Sequence, residues 1–304
     1  QSLRSLTFSQ RGLLLAQMAQ ALHEHRDELL QLSIQNGGNT RQDAKFDLDG
    51  ASFALMHYAK LAESLPDSTT LLEGDAVQLG RTPRFMGRHV YRPLQGVAVQ
   101  INAFNFPAWA LGQKAATALL AGMPVFAKPA TSTALVAVRM LELWVTRKIL
   151  PAGAFSMLAG PVGRLISLLR FQDVVAFTGS GAVGRALRLN ENLLDQDVRI
   201  NLEADSLNAA VLGPDVELSG ETYDLFMKDL VRELTQKAGQ KCTATRRIFV
   251  PQSKRREVIA DLVATLQQIK IGNPALPEVH MGPLCTAKQL QAAHAGVQTL
   301  RQDA

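Results

Sequence analysis

From Gly96 onward the chain repeats one rhythm, and that rhythm restricts the fold more than any other feature. Short apolar runs at Val97–Ala103, Val125–Lys128, Phe155–Leu158 and Val174–Phe177 read as strands. Between them lie helical stretches at Pro107–Leu120, with proline in its first turn, at Ser132–Thr146, and one starting at Val162. Strands that are apolar throughout, alternating with helices, belong to a parallel sheet covered on both faces, so the fold class is α/β. Later, Ala209–Leu212 and Ile248–Val250 read as strands separated by a helix over Thr222–Gln236, with further helical patterns at Arg256–Ile269 and beyond Thr286. Before the repeat, Leu14, Met18, Leu22 and Leu29 mark one long helix ended by Asn36-Gly37-Gly38. Phe46, Phe53, Met56 and Leu61 mark a second, ending near Pro66. The basic, Gly- and Pro-punctuated segment Val77–Arg92 reads as an extended hairpin outside the main layers.

With 304 residues, 47% hydrophobic and 19% charged, the chain can bury a large core and has the length of about two domains. The richest apolar stretch, Ala115–Ala127, is broken by Gly122 and Pro124 and falls short of the ~20 residues a membrane span needs. No secretory leader pattern opens the chain, which begins at Gln1, so some N-terminal sequence is expected to be missing. Two cysteines do not make a disulfide scaffold; a reducing, cytoplasmic compartment is expected. The net charge of +5 is mild and scattered, densest at Arg246-Arg247 and Lys254-Arg255-Arg256. That argues against a nucleic-acid groove but favours anionic ligands such as nucleotides or acyl-CoA.

Ligands of open parallel sheets sit at the carboxyl ends of the strands. Five loops there have unusual content: Asn102–Pro107, Lys128–Thr133, Thr178–Gly184, Glu203–Asn208 and Gly239–Thr243. Gly179-Ser180-Gly181-Ala182-Val183-Gly184 fits a glycine turn that lets backbone approach a pyrophosphate at a helix N-terminus; a plain strand-to-helix turn fits it equally. Glu203, 19 residues after Gly184, has the spacing of a ribose-binding acid. Lys128 in Lys128-Pro129-Ala130 would meet ribose or phosphate, or be a surface lysine. Asn105 could donate to an oxyanion or cap the helix that follows it. Cys242, on a glycine loop between Lys237, Lys241 and Thr243, could be a thiolate nucleophile or a small buried hydrophobe; Cys285 reads as the latter. The six histidines are scattered. No cysteine has metal-ligand spacing, so no metal is expected, and no Cys-His protease signature is present.

Taken in order, these loops resemble the aldehyde dehydrogenase superfamily. Ala103-Phe104-Asn105-Phe106-Pro107 resembles its aromatic-Asn-Phe-Pro loop, and Lys128-Pro129-Ala130 its cofactor lysine motif. Phe177-Thr178-Gly179-Ser180 with Gly184-Arg185 resembles its pyrophosphate turn, Leu202-Glu203 its glutamate motif and Gly239-Gln240-Lys241-Cys242 its nucleophile motif. Ile101–Pro107, Glu203–Asn208 and Lys237–Arg247 look like the branch of semialdehyde dehydrogenases of aerobic phenylacetate and benzoyl-CoA breakdown, which act on CoA-linked aldehydes. The resemblance implies Cys242 as nucleophile, Asn105 as oxyanion donor and Glu203 as the base that activates water, with Lys128 on the ribose in place of Glu203. It implies a dinucleotide site formed by Phe104, Lys128, Pro129, Thr131, Gly179, Ser180, Val183 and Gly184.

Departures from the family pattern shape further expectations. Ala204-Asp205 follow Glu203 where most relatives carry two glycines. Thr131 stands where NAD-preferring relatives often place a glutamate that grips the 2′-hydroxyl, which implies NADP as the preferred cofactor with NAD accepted. The later Glu-x-Phe-Gly-Pro motif and the tail of the oligomerisation sheet are absent, so a truncated chain is expected. The resemblance divides the chain into a dinucleotide-binding domain of residues 1–76 and 95–205, an oligomerisation hairpin of 77–94 and a catalytic domain of 206–304. A homodimer or larger assembly is implied. A CoA-acylating enzyme and a non-catalytic dinucleotide-binding relative are the alternative readings.

Overall fold

The computed structural model describes residues 2–302. The chain opens with helices α1 (Phe8–Glu24), α2 (Arg26–Gly37) and α3 (Arg41–Glu63), followed by strands β1 (Leu71–Gln78) and β2 (Met86–Tyr91). The alternating region gives β3 (Ala98–Ile101), α4 (Pro107–Leu120), β4 (Val125–Lys128), α5 (Ala134–Thr146) and β5 (Phe155–Met157). It continues through β6 (Val174–Gly179), α6 (Gly181–Arg188), α7 (Glu191–Asp195) and β7 (Arg199–Ala204). The remainder comprises β8 (Asn208–Val211), α8 (Glu221–Thr235), β9 (Thr245–Phe249), α9 (Arg255–Gln267) and α10 (Ala287–Gln302). Contacts divide the chain into two compact units. The first holds residues up to Leu29, Asp47–Ala103 and Pro107–Ala204; the second holds Leu30–Phe46, Phe104–Phe106 and the chain from Asp205.

In the first unit β5-β4-β3-β6-β7 form one parallel sheet, as the alternating sequence requires. The chain winds outward from β3 to β5, then returns to β6 and winds the other way, so connections leave β3 and β6 in opposite directions. A crevice at the carboxyl ends of those two strands follows from this topology. Side chains alternate across each strand. Val99, Val175 and Phe177 pack on Leu187, Leu193 and Val198, whereas Gln100 and Ala176 face a cleft bordered by α4. α1, α4 and α5 bury Leu15, Met18, Leu22, Leu111, Leu119, Met140 and Trp144, and the Trp144 indole donates to the Met18 carbonyl over 3.2 Å. β1 and β2 form an antiparallel hairpin whose residues are almost all exposed.

Three local expectations change. The first long helix is two, parted at His25; α1 starts on a capping box in which Thr7 and Gln10 exchange hydrogen bonds. Phe46, Phe53, Met56 and Leu61 do not face the core: all are exposed, and α3 packs through Leu48, Ala51, Leu55, Ala59 and Ala62. Small residues let α3 approach closely; a Cβ at Gly50 would lie 2.3 Å from the Trp109 ring. The helix expected from Val162 is a single 3-10 turn at Leu165–Leu168, because Gly160 and Gly163 take positive φ (157° and 53°) around Pro161.

In the second unit β8 and β9 pair in parallel. Leu212, Tyr223, Met227, Leu230 and Val258 make its core, and the Tyr223 hydroxyl donates to Asp261 over 2.7 Å. No helix among the described residues is long and apolar enough to cross a membrane.

Candidate active site

In the first unit, Glu203 lies inside strand β7, not in a loop; the loop begins at Asp205. Parallel pairing sets Thr178 beside Glu203, and the Thr178 hydroxyl donates to the Glu203 carboxylate over 3.1 Å. Lys114, on α4, donates to the same hydroxyl over 2.7 Å. These three groups line a cleft of about 380 Å3 together with Gln100, Gln113 and Asn201. Burial lowers the Lys114 ammonium to about 8, against an opposing pull from the Glu203 carboxylate. Motif reasoning missed Lys114, although it is the single charged residue in the α4 sequence, a signal in its own right.

Asn105 does not cap α4. Asp47 does: its carboxylate accepts the N–H of Ala108 at 3.2 Å and of Trp109 at 2.8 Å. The half-buried Asn105 side chain is thereby left out of the helix cap.

Lys128 ends β4 half-buried, and its carbonyl accepts the Asn102 N–H over 3.0 Å. Pro129 is buried and Thr131 is exposed at the start of a 3-10 turn. Gly179 ends β6, and Ser180 caps α6 by accepting the Val183 N–H over 3.5 Å. Gly184 is buried, Val183 is exposed and the first turn of α6 carries no acidic residue. Two further observations suit a polar, anionic ligand at this edge. Asn102, at the carboxyl end of β3, is buried with both side-chain polar atoms unpartnered among the described residues, a state that buried amides rarely occupy. The α6 N-terminus presents donors with no competing carboxylate. The residues fit a dinucleotide. Among the described residues no group of three or more His, Cys, Asp or Glu side chains could hold a metal ion.

In the second unit, Cys242 is exposed on the turn between α8 and β9. Its carbonyl accepts from the Ser206 hydroxyl and from the Asn208 amide, the latter over 2.5 Å, so the backbone beside the sulfur is held from the β8 side. Cys242 and Cys285 form no disulfide. The turn is left-handed at three successive residues, Lys237 (φ 54°), Ala238 (φ 53°) and Gly239 (φ 70°). Only the glycine takes that conformation without steric cost. The lysine charges expected beside Cys242 are engaged elsewhere. Lys241 is buried and ion-paired with Glu233 at 2.6 Å, while Lys237 is buried against Asn39 and Phe106. Phe106 also meets Phe46 edge-on, with ring centroids 5.9 Å apart, which ties the Phe104–Phe106 segment into this unit.

An open parallel sheet with a glycine turn and a short helix at its switch point defines the α/β class that takes nucleotides at the carboxyl edge. Sequence and structure comparisons narrow this. The aldehyde dehydrogenase family model matches residues 1–304. Over 302 residues the chain is 46% identical to 3,4-dehydroadipyl-CoA semialdehyde dehydrogenase of Aromatoleum evansii, covering 99% of this chain and 59% of that protein. Betaine aldehyde dehydrogenase of Staphylococcus aureus, solved in complex with NAD+, superposes with a TM-score of 0.86 at 25% identity, covering 98% of this chain and 56% of that one. At 23% identity, 3,6-anhydro-L-galactose dehydrogenase in complex with NADP shares the fold, with a TM-score of 0.82 over 95% of this chain and 58% of that one. The chain belongs to the aldehyde dehydrogenase family. It spans about three fifths of the length of the relatives it matches, as the 59% coverage records.

Proposed function

We propose that the protein oxidises an aldehyde, of the CoA-linked semialdehyde class, to the carboxylic acid with NADP as preferred cofactor and NAD accepted. The observation that carries this reading is an exposed Cys242 on a turn whose backbone is pinned by Ser206 and Asn208, in a chain 46% identical to a CoA-linked semialdehyde dehydrogenase.

In this reading Lys128, Thr131 and the turn Gly179–Gly184, with Phe104 and Pro129, hold the dinucleotide, and the nicotinamide supplies the hydride acceptor when bound. The Cys242 thiolate attacks the aldehyde carbon, forming the C–S bond as the carbonyl π pair moves onto oxygen. The Asn105 amide and the Cys242 N–H donate to that oxyanion. Once the carbon has lost hydride, the acyl group stands as a thioester on Cys242. Glu203 then takes a proton from water, whose oxygen adds to the thioester carbon and expels the Cys242 thiolate, releasing the acid. A positioned carboxylate base suits water as acyl acceptor better than it suits a CoA thiol. Residues 1–76 and 95–205 serve as the dinucleotide-binding domain, and residues 206–304 as part of the catalytic domain. The exposed hairpin, whose strands run from Leu71 to Tyr91 where the sequence pattern put it at residues 77–94, joins subunits in a homodimer or larger assembly.

NADPH formation by the full-length protein, followed across free and CoA-linked semialdehydes, tests the reading. Turnover of CoA-linked substrates supports it; absence of turnover with every aldehyde contradicts it.

A further inference from the structure

Lys237 is only 3% exposed, yet its backbone sits in a left-handed conformation that a side-chain-bearing residue adopts at a steric cost. Strain of this kind persists only where surrounding contacts hold it, and here they converge on one residue. The Lys237 N–H donates to Asp43 over 3.0 Å, and the Lys237 carbonyl accepts both the backbone and side-chain N–H of Gln240, at 3.0 and 3.1 Å. The ammonium donates to Asn39 over 2.9 Å and stands 4.7 Å from the centroid of the Phe106 ring. Asn39 is itself fixed, its amide donating to the Ser33 hydroxyl over 3.0 Å. A buried ammonium is expensive to desolvate, and an apolar side chain of similar length would fill the same volume without that cost. What the charge adds is direction: cation–π attraction and the Asn39 hydrogen bond together fix where the Phe106 ring lies.

Phe106 adjoins Asn105, and Lys237 is five residues before Cys242. We infer that Lys237 is a positioning residue, whose anchored ammonium holds Phe106 and thereby sets the Asn105 segment in register with the turn that bears Cys242. This inference rests on the proposed roles of Cys242 and Asn105.

The test compares Lys237→Met, Lys237→Arg, Asn39→Ala and a Cys242→Ala control in the full-length protein, measuring kcat with a CoA-linked semialdehyde and KM for NADP. Lys237→Met is expected to lower kcat by about tenfold or more, the scale of a small misplacement of reacting groups, and to leave KM for NADP within about twofold. Lys237→Arg keeps the cation and is expected to recover most of the loss, while Asn39→Ala, which removes the anchor, reproduces it. A Lys237→Met protein with unchanged kcat, or an arginine variant as impaired as the methionine one, would overturn the inference. Should Lys237→Met not fold, Asn39→Ala decides: unchanged kcat overturns the inference and a selective kcat loss supports it. Full activity in Cys242→Ala would instead defeat the functional reading beneath it.

Discussion

Thr178 and Glu203 pair across neighbouring parallel strands, and the threonine hydroxyl, itself bonded by Lys114, donates to the glutamate carboxylate. The carboxylate proposed as a base is therefore oriented by a strand register, a more rigid support than a loop.

If Glu203 activates water, Glu203→Gln slows release of the acyl group more than its formation. Loss of a general base typically costs about 100-fold or more in rate. The expected outcome is a kcat lowered on that scale, with a rapid burst of about one NADPH per site preceding slow turnover. A uniform slowing without a burst would place the defect before the thioester.

Lys114 makes a prediction about stability and pH. Its ammonium titrates at about 8 in the native protein against 10.5 for an unburied lysine. Between those values the unfolded chain binds more protons than the native one, so this residue's contribution to stability rises with pH. Urea unfolding of the parent and Lys114→Met proteins at both ends of the window checks this. The parent is expected to gain on the variant as pH rises from about 8 to about 10.

Asp47 and Asn105 separate stability from chemistry. Removing the Asp47 cap with Asp47→Ala should cost about 1–2 kcal/mol of unfolding free energy. Asn105 takes no part in that cap, so Asn105→Ala is expected to unfold close to the parent while kcat falls about 100-fold or more, as when an oxyanion donor is lost. Denaturant midpoints and kcat measured on both variants distinguish the two roles.

In the proposed reading, cofactor choice turns on Thr131. With no carboxylate there, kcat/KM is expected to favour NADP. Thr131→Glu sets a negative charge against the 2′-phosphate and should shift the NADP/NAD ratio of kcat/KM by about tenfold or more toward NAD. A strong NAD preference in the parent would refute this account of Thr131.

Four strands of the parallel sheet, β3 to β6, could be read from the sequence because they are short, largely apolar runs bounded by turns, whereas the fifth, β7, could not. Glu203 was displaced from loop to strand because Arg199–Ala204 is an edge strand with a mostly exposed pattern, which leaves no apolar run to detect. The apolar side chains of α3 misled for the opposite reason: Phe53 and Met56 look like core, yet the close approach of Trp109 to Gly50 reserves the core for small residues. The motif residues Cys242, Lys128 and Gly179 were legible as types at a spacing. The supports were not, since Asp47 reaches Trp109 and Lys114 reaches Thr178 across 62 and 64 residues of sequence, distances only a tertiary fold can close.

The central claim is that Cys242 carries the acyl group. Mass spectrometry of the full-length protein, acid-quenched during turnover of a CoA-linked semialdehyde, tests this most directly. The account predicts an adduct of the acyl mass on the peptide containing Cys242, lost in Cys242→Ala together with NADPH formation. An adduct on another residue, or undiminished turnover in Cys242→Ala, would contradict it.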